Sequence, residues 1–333
     1  MTCDVSIIII NWNLESFIEQ AINSALEQDI SAKEIIVVDN GSEDSSLQTI
    51  EALQSAADCP FKVIKNAKNI GLGAARNQGI DIASGHYIAF LDGDDWFTKN
   101  GLPHALDIAR KHDADVCVFD HVQVFNDGTT KPNRHAELLA EGDRSHPEQR
   151  RNLLRNFNVA WNKLYKRQFL NHHELRFPTG LYEDLDITHR ALILAEHCAS
   201  TDEVVVNYRK DRPGSITNTL SEDHMQVLER FESLLQFADQ NRALCAPYRQ
   251  ELFERVVRNS LTLLNGKQNR LPTDLHQEFL ARVKSLLDTY DPDCSVPINN
   301  ANFLVYRALR SGNLSFYNAV KRLNGLRLSR LGL

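Results

Sequence analysis

Val5-Ser6-Ile7-Ile8-Ile9-Ile10 runs directly into Asn11-Trp12-Asn13. The first six residues carry no charge and are β-branched at all but one position. An unbroken apolar run of that length marks a strand covered on both faces, where a half-exposed strand would alternate. Outward from it, helix and strand signals take turns. Leu14–Leu26 places Phe17, Ile18, Ala21, Ile22 and Ala25 at helical spacing. Glu34–Val38 and Phe61–Ile64 read as strands, with a helix over Ser46–Leu53 between them. A further helix covers Ala74–Ala83, then come a strand at Tyr87–Leu91, a helix at Leu102–Arg110, and strands at Val116–Val124 and Val204–Tyr208. Repeated βα units imply an α/β protein whose parallel sheet is flanked by helices. Ligands of such sheets bind beyond the carboxyl ends of the strands. Three strands end in polar chemistry there: Asn11-Trp12-Asn13, Asp39-Asn40-Gly41-Ser42 and Asp92-Gly93-Asp94-Asp95.

From about Ser221 the texture changes. Met225–Phe237, Tyr248–Leu264, Leu275–Leu287 and Phe303–Leu309 read as amphipathic helices, and strand signals stop. The expected organisation is an α/β domain over 1–220 and a C-terminal helical domain over 221–333. That division agrees with a length of 333 residues, about two domains by the usual size. The net charge of −7 argues against a surface built to grip nucleic acid. No apolar run reaches the roughly 18 residues of a membrane-spanning helix. The first residues lack the basic flank of a signal peptide. The six cysteines are scattered without metal-ligand spacing. A cytoplasmic protein with reduced thiols is the expectation.

The sharpest local signal is Leu91-Asp92-Gly93-Asp94-Asp95-Trp96, with three carboxylates in four residues. A hard divalent cation, Mg²⁺ or Mn²⁺, relieves such repulsion. It takes one or two carboxylates and completes its shell with water and substrate phosphate. The competing reading is a solvated Asp/Gly turn. Asp39 at a strand end can accept a hydrogen bond from a nucleobase, or can close an Asx turn or cap. Asn69-Ile70-Gly71-Leu72-Gly73-Ala74-Ala75-Arg76-Asn77 opens a helix whose glycines permit close backbone approach and whose N-terminus favours anions. Arg76 stands where a dinucleotide fingerprint has a third small residue. It can instead reach a diphosphate or the acidic cluster. Glu183-Asp184 offers a general base for an acceptor hydroxyl, or merely the acidic first turn of a helix. Arg209-Lys210-Asp211-Arg212-Pro213-Gly214-Ser215-Ile216-Thr217 is a basic loop suited to clamping phosphates as a lid, or to linking domains.

Together these residues resemble the family 2 glycosyltransferases of GT-A fold. The matches, in order, are Ser6–Asn11, Val37–Ser42, Asn69–Asn77, Phe90–Asp95, Glu183-Asp184 and Arg212–Thr217, covering about residues 4–220. The resemblance implies a Rossmann-like, mostly parallel sheet and a metal-dependent, inverting transfer from a nucleotide-diphosphate sugar, usually UDP-linked. It implies Asn11, Asp39, Arg76, Asp92, Gly93, Arg212 and Ser215 at the donor, Asp94 with Asp92 at the Mg²⁺ or Mn²⁺, and Asp184 as catalytic base. Glu183 and Trp161 stand on the acceptor side, Trp161 with a buried core position as its alternative. The implied acceptor is a glycan or lipid-linked hydroxyl of a bacterial cell-surface polymer. The rival readings are a sugar nucleotidyltransferase, a non-catalytic sugar-nucleotide-binding module and a helical scaffold. The first wants a Gly-rich triphosphate loop near residue 10, which is missing.

Residues 301–333 hold Arg307, Arg310, Lys321, Arg322, Arg327 and Arg330 and no acid, so they carry +6. The rest of the chain carries −7 − 6 = −13. Leu323, Leu326, Leu328 and Leu331 interleave with those charges. Such a segment suits peripheral contact with an anionic membrane on its cytoplasmic face, and equally a helix packed on its own domain or in a homo-oligomer.

Overall fold

The computed structural model describes residues 3–157, 159–210, 212, 219–265 and 270–330. The chain forms two compact units, Met1–Arg212 and Pro213–Leu333, where the sequence reading divides it at 220.

In the first unit β1 (Val5–Asn11), α1 (Ile18–Leu26), β2 (Lys33–Asp39), α2 (Ser46–Ala56), β3 (Phe61–Lys65), α3 (Leu72–Ile82) and β4 (Tyr87–Asp92) alternate as expected. Then come β5 (Trp96–Phe97), α4 (Gly101–Lys111), β6 (Val116–Val124), β7 (Thr130–Pro132), β8 (Gly142–Asp143), α5 (Pro147–Arg155), β9 (Lys163–Lys166), α6 (Arg167–His172), α7 (Glu183–Leu194) and β10 (Cys198–Arg209). The sheet order is β3-β2-β1-β4-β9-β6-β10-β5, with β7 on β6 and β8 on β10. Every residue of β1 is buried, as the apolar run requires. The strands β1 to β4 are mutually parallel, and β6 is parallel to β10. β9 lies between β4 and β6, antiparallel to both. The sheet is therefore mixed and mostly parallel, not purely parallel. Its carboxyl edge receives the ends of β1, β2, β4, β6 and β10 and the beginning of β9.

α1 begins at Ile18, later than the apolar spacing suggests. Its approach is taken into the β2–α2 loop, with the Leu14 N–H donating to Ser46 Oγ at 3.0 Å and the Glu15 N–H to Asp44 Oδ2 at 2.9 Å. At the opposite edge of the sheet, burial alone would raise the Glu34 carboxyl. Hydrogen bonds from Lys62, Ser6 and Ser84 hold it instead at about 2. All six cysteines are free.

The second unit is helical: α8 (Val227–Gln240), α9 (Arg242–Cys245), α10 (Arg249–Asn265), α11 (His276–Tyr290), α12 (Asn300–Ser311) and α13 (Leu314–Arg330). Its connections are tied by buried acids. Asp291, after α11, accepts from the Tyr306 hydroxyl of α12 at 2.6 Å and from the Ser295 N–H at 2.9 Å. Among the described residues no helix is long and apolar enough to cross a membrane.

Candidate active site

Strand register brings the polar ends together. Asn11 lies opposite Asp39 on β2, and Ile10 lies opposite Asp92 on β4. Asn11 and Asp39 are both buried. The Asn11 amide donates to Asp39 Oδ1 at 2.8 Å and to Ser42 Oγ at 3.0 Å, and the Ser42 N–H donates to Asp39 Oδ2 at 3.2 Å. Asp39 thus closes the loop after β2 on itself, the Asx-type arrangement, with lone pairs left on each oxygen for an incoming donor. Beside it Trp12 is 46% exposed, a broad aromatic face at the sheet edge that the sequence reading passed over. Its only sequence signal was a large aromatic residue directly after a buried strand.

Gly93 packs inward. A Cβ there would stand 2.8 Å from the Ile10 carbonyl oxygen and 3.0 Å from Leu14, so the position serves close packing under the acidic turn. Asp94 accepts from Arg212 Nε at 2.7 Å. Burial first, and then the charge of Asp92, raise the Asp94 carboxyl above its ordinary range, against the pull of Arg212. Asp95 is buried and raised well above that range, by burial and then by Asp94 and Asp92. It accepts the Arg209 N–H at 2.8 Å. These charges are not solvated, as a plain turn would leave them. Guanidiniums and a buried backbone hold them.

Arg76 is the centre. It is fully buried on α3, with NH1 2.7 Å from Glu183 and 2.8 Å from Asp184, and NH2 2.9 Å from Asp92. Its guanidinium lies over Phe177, 5.2 Å from the ring centroid. Burial alone would lower its pKa, and the three carboxylates raise it instead, so it stays charged. Of the two targets foreseen for Arg76, the acidic cluster is the one its guanidinium touches. Gly73 of its loop serves the same end. A Cβ on Gly73 would fall 2.3 Å from the Pro178 carbonyl oxygen and 3.3 Å from Glu183 Cβ. The close approach at Gly73 is therefore made by the chain itself, which sets α7 against α3.

Glu183 opens α7 after Tyr182, which sits in the left-handed region at φ 60°. A bulky side chain there is strained, and such strain persists only where surrounding contacts over-determine it. Glu183-Asp184 is a helix start, and both of its carboxylates meet Arg76. Burial and then the neighbouring Asp184 push Glu183 up to about 7, against Arg76. Asp184 is raised by burial and by Asp92, while Arg76, the Ala160 N–H and Lys163 oppose. Its side chain keeps 18% exposure against 9% for Glu183, so Asp184 is the more accessible carboxylate.

Arg209, expected in the phosphate-clamping loop, is engaged elsewhere. It is stacked between Phe17 and Trp96 at 4.7 Å from each ring and donates to the Asp94 carbonyl at 2.9 Å. Ser215 lies outside the described residues. Trp161 is 3% exposed, so it offers no face of its own to an acceptor. The buried alternative is the observed one.

Among the described residues no three His, Cys, Asp or Glu side chains converge on a metal position. Asp92 and Asp94 nevertheless fit a hard divalent cation. They are two carboxylates on one turn, with Asp94 raised by burial and then by Asp92, and phosphate and water would complete the shell.

A mixed, mostly parallel sheet of this order with acids at its carboxyl edge is the architecture of the GT-A fold. The family model described as Glycosyl transferase family 2 matches residues 6–173. The chain belongs to that family. EpsH of Bacillus subtilis (strain 168) is 30% identical over 269 residues, spanning 78% of this chain and 76% of its own. The succinoglycan biosynthesis protein ExoO of Rhizobium meliloti (strain 1021) is 29% identical over 297 residues, spanning 85% and 84%. Among solved structures, S. aureus TarS 1–349 in complex with UDP-GlcNAc superposes with TM-score 0.77 at 19% identity, over 99% of this chain and 92% of that one. At that identity the likeness shows the fold. Membership of a glycosyltransferase family favours that reading over the nucleotidyltransferase and scaffold ones.

Proposed function

We propose that this protein is an inverting, metal-dependent glycosyltransferase. It moves a sugar from a UDP-linked donor to a hydroxyl of a glycan or lipid-linked acceptor in bacterial surface polysaccharide synthesis. The observation that carries this reading is the meeting of Asp92, Glu183 and Asp184 on one buried guanidinium, next to Asp94 at the sheet edge. The polysaccharide role of ExoO and the UDP-GlcNAc of TarS support it.

In this reading the base edge of the nucleotide meets Asp39 and Asn11, with its ring on Trp12. The acceptor hydroxyl oxygen attacks the anomeric carbon while the bond to the phosphate oxygen breaks. The electron pair leaves with UDP and the proton passes to Asp184. Attack opposite the leaving group inverts the anomeric centre in one displacement. When bound at Asp92 and Asp94, Mg²⁺ or Mn²⁺ supplies neutralising charge for the departing diphosphate. Arg212, held at Asp94, is placed to add to it.

Asp94→Ala should lower UDP affinity measured by calorimetry in the presence of Mn²⁺, and remove the difference between Mn²⁺ and EDTA. Wild-type binding that ignores the metal would refute the metal assignment.

Peripheral membrane contact of 301–333 is also proposed. On α12 Phe303, Leu304 and Arg307 are exposed on one face, and the segment carries no acid. In flotation with anionic liposomes the full chain should rise with the vesicles, and a chain ending at 300 should stay below. Equal behaviour of the two sinks the proposal.

A further inference from the structure

Three neighbouring residues of α3, Arg76, Asn77 and Gln78, hold three separate parts of the site. Successive side chains on a helix are turned about 100° from one another, so neighbours in sequence reach different partners. Arg76 gathers the acids. Asn77 turns to the chain that leads into α7. Its Nδ2 donates to the Phe177 carbonyl at 2.9 Å, and its Oδ1 accepts the Phe177 N–H at 2.9 Å. Resting on the glycosyltransferase reading, we infer that Asn77 is a positioning residue for the transfer. Its carboxamide fixes the Phe177 backbone and thereby sets Asp184 in front of the donor, acting through the chain rather than by touching substrate.

A side-chain amide that both donates to and accepts from one residue copies the exchange made by a hydrogen-bonded strand pair, and it fixes direction as well as distance. Phe177 is itself buried, with its ring against the Arg76 guanidinium and edge-on to Phe90 at 5.3 Å. From Phe177 to Asp184 is 184 − 177 = 7 residues, and that stretch turns through Gly180 at φ 90° and Tyr182 at φ 60°. A left-handed Tyr is kept only where its surroundings over-determine it. The Asn77 clasp fixes the entry to this turn, and Arg76 fixes its exit at Glu183 and Asp184. Beside the clasp Arg176 reaches Asp81 of α3 at 3.2 Å, but that pair is open to solvent, where an ion pair contributes little.

Gln78 supplies the contrast. It turns to the nucleotide side, donating to Asn66 Oδ1 at 3.0 Å and accepting from Asn66 Nδ2 at 2.9 Å. Asn66 Nδ2 also donates at 3.1 Å to Oδ1 of Asn40, the buried residue that follows Asp39. The same Asn40 oxygen accepts the Ile70 N–H at 3.1 Å, and Asn40 Nδ2 donates to Asn69 Oδ1 at 2.9 Å. This chain of amides ties the loop after β2 to the loop that opens α3. Asn77 and Gln78 are both half-buried, and each exchanges two hydrogen bonds. A general weakening of α3 would therefore read alike at either position. What the two hold differs: the approach to the base in one case, the nucleotide loop in the other.

Three measurements on the full chain test this. UDP release from UDP-glucose, UDP-galactose and UDP-N-acetylglucosamine in Mn²⁺, with water as acceptor, reads the chemistry. Calorimetry with UDP reads donor binding, and hydrogen exchange over residues 177–188 reads the clasp. Asn77→Leu should lower kcat toward the roughly 10²-fold that a 1 Å misplacement can cost, with UDP affinity unchanged. Asn77→Ser, smaller in case Leu disturbs packing, should move kcat in the same direction. Both should speed exchange over 177–188. Gln78→Leu should instead weaken UDP about three- to tenfold, the size of one neutral hydrogen bond, with a smaller loss of kcat and with wild-type exchange over 177–188. On an Asp184→Asn background Asn77→Leu should lower kcat no further, because it acts through Asp184. Asn77 variants that behave like Gln78→Leu, or whose losses add in full to that of Asp184→Asn, overturn the proposal. A wild-type chain that neither binds UDP nor releases it from any of the three donors, while Asn77→Leu still speeds exchange over 177–188, would instead overturn the glycosyltransferase reading and leave the clasp standing.

Discussion

Asp184→Asn should abolish transfer while donor binding survives. A positioned general base contributes about 10²–10⁴ in rate, and amide replacement removes the proton acceptor without removing the volume. The expected result is a kcat lower by that factor, with the UDP dissociation constant changed little. Arg76 keeps Glu183 and Asp92 as partners in the variant, and one buried negative charge is lost from a cluster with three acids on one guanidinium. The fold should therefore hold, and the melting temperature serves as the control. Glu183→Gln separates the two neighbours. Glu183 is the less exposed of the two, with 9% of its side chain open against 18% for Asp184. Its loss should cost far less than the loss of Asp184. The pH profile adds a second readout. Burial and Asp92 raise Asp184, so the acid limb of kcat should lie above the ordinary carboxylate range of about 4. Activity is present above the raised pKa and fades as pH falls through it. Full transfer by Asp184→Asn would remove Asp184 from its role.

Much of the fold was legible because β1 and β4 are buried on both faces, and burial of that kind leaves an unbroken apolar signature. β9 was not. It is four residues long with a lysine at each end, and Lys163 is buried because its ammonium finds the Val159 carbonyl at 2.9 Å and Asn162 Oδ1 at 2.6 Å. A tertiary environment that satisfies a charge leaves no trace in local pattern. The acidic turn was legible as chemistry and Arg76 as a candidate partner of it, but the meeting of that arginine with Glu183 and Asp184 was not. Arg76 lies 107 residues before Glu183, and no local rule joins positions so distant. Gly73 was read rightly as a site of close approach, but the approaching backbone belongs to Pro178 and not to a ligand. Local sequence shows that space is needed and does not show what fills it. Trp161 illustrates the same limit: an aromatic residue before a short strand reads alike whether its face is buried or open.

Arg76→Ala is the most damaging single change the site allows. The substitution leaves Asp92, Glu183 and Asp184 together in a buried setting with their shared cation gone. Breaking a buried ion pair from one side typically costs about 3–5 kcal/mol, because a charge is left uncompensated. Here three carboxylates share the loss, so the expected cost lies at the upper end, near the whole stability of an ordinary domain. The signature is in the pH dependence. In the wild type Glu183 already titrates in the fold near 7, above its ordinary 4.5. The folded chain therefore binds more protons there than the unfolded one, and this group's contribution to stability is present at low pH and lost as pH rises through about 7. Without Arg76, which opposes the rise in Glu183 and Asp184, those two carboxyls rise further. Each additional proton held by the fold adds about 1.36 kcal/mol per pH unit. The variant should thus melt far below the wild type at pH 8 and recover much of the difference at pH 5.5, as Glu183 and Asp184 take up protons. Arg76→Lys keeps one charge but not the fork that reaches three partners, and should fall between them. Donor turnover should be lost in the Ala variant at either pH, since protonation that restores the fold also disables Asp184. A variant equally stable at both pH values, and no weaker than the wild type, would show that the guanidinium does not hold these acids together.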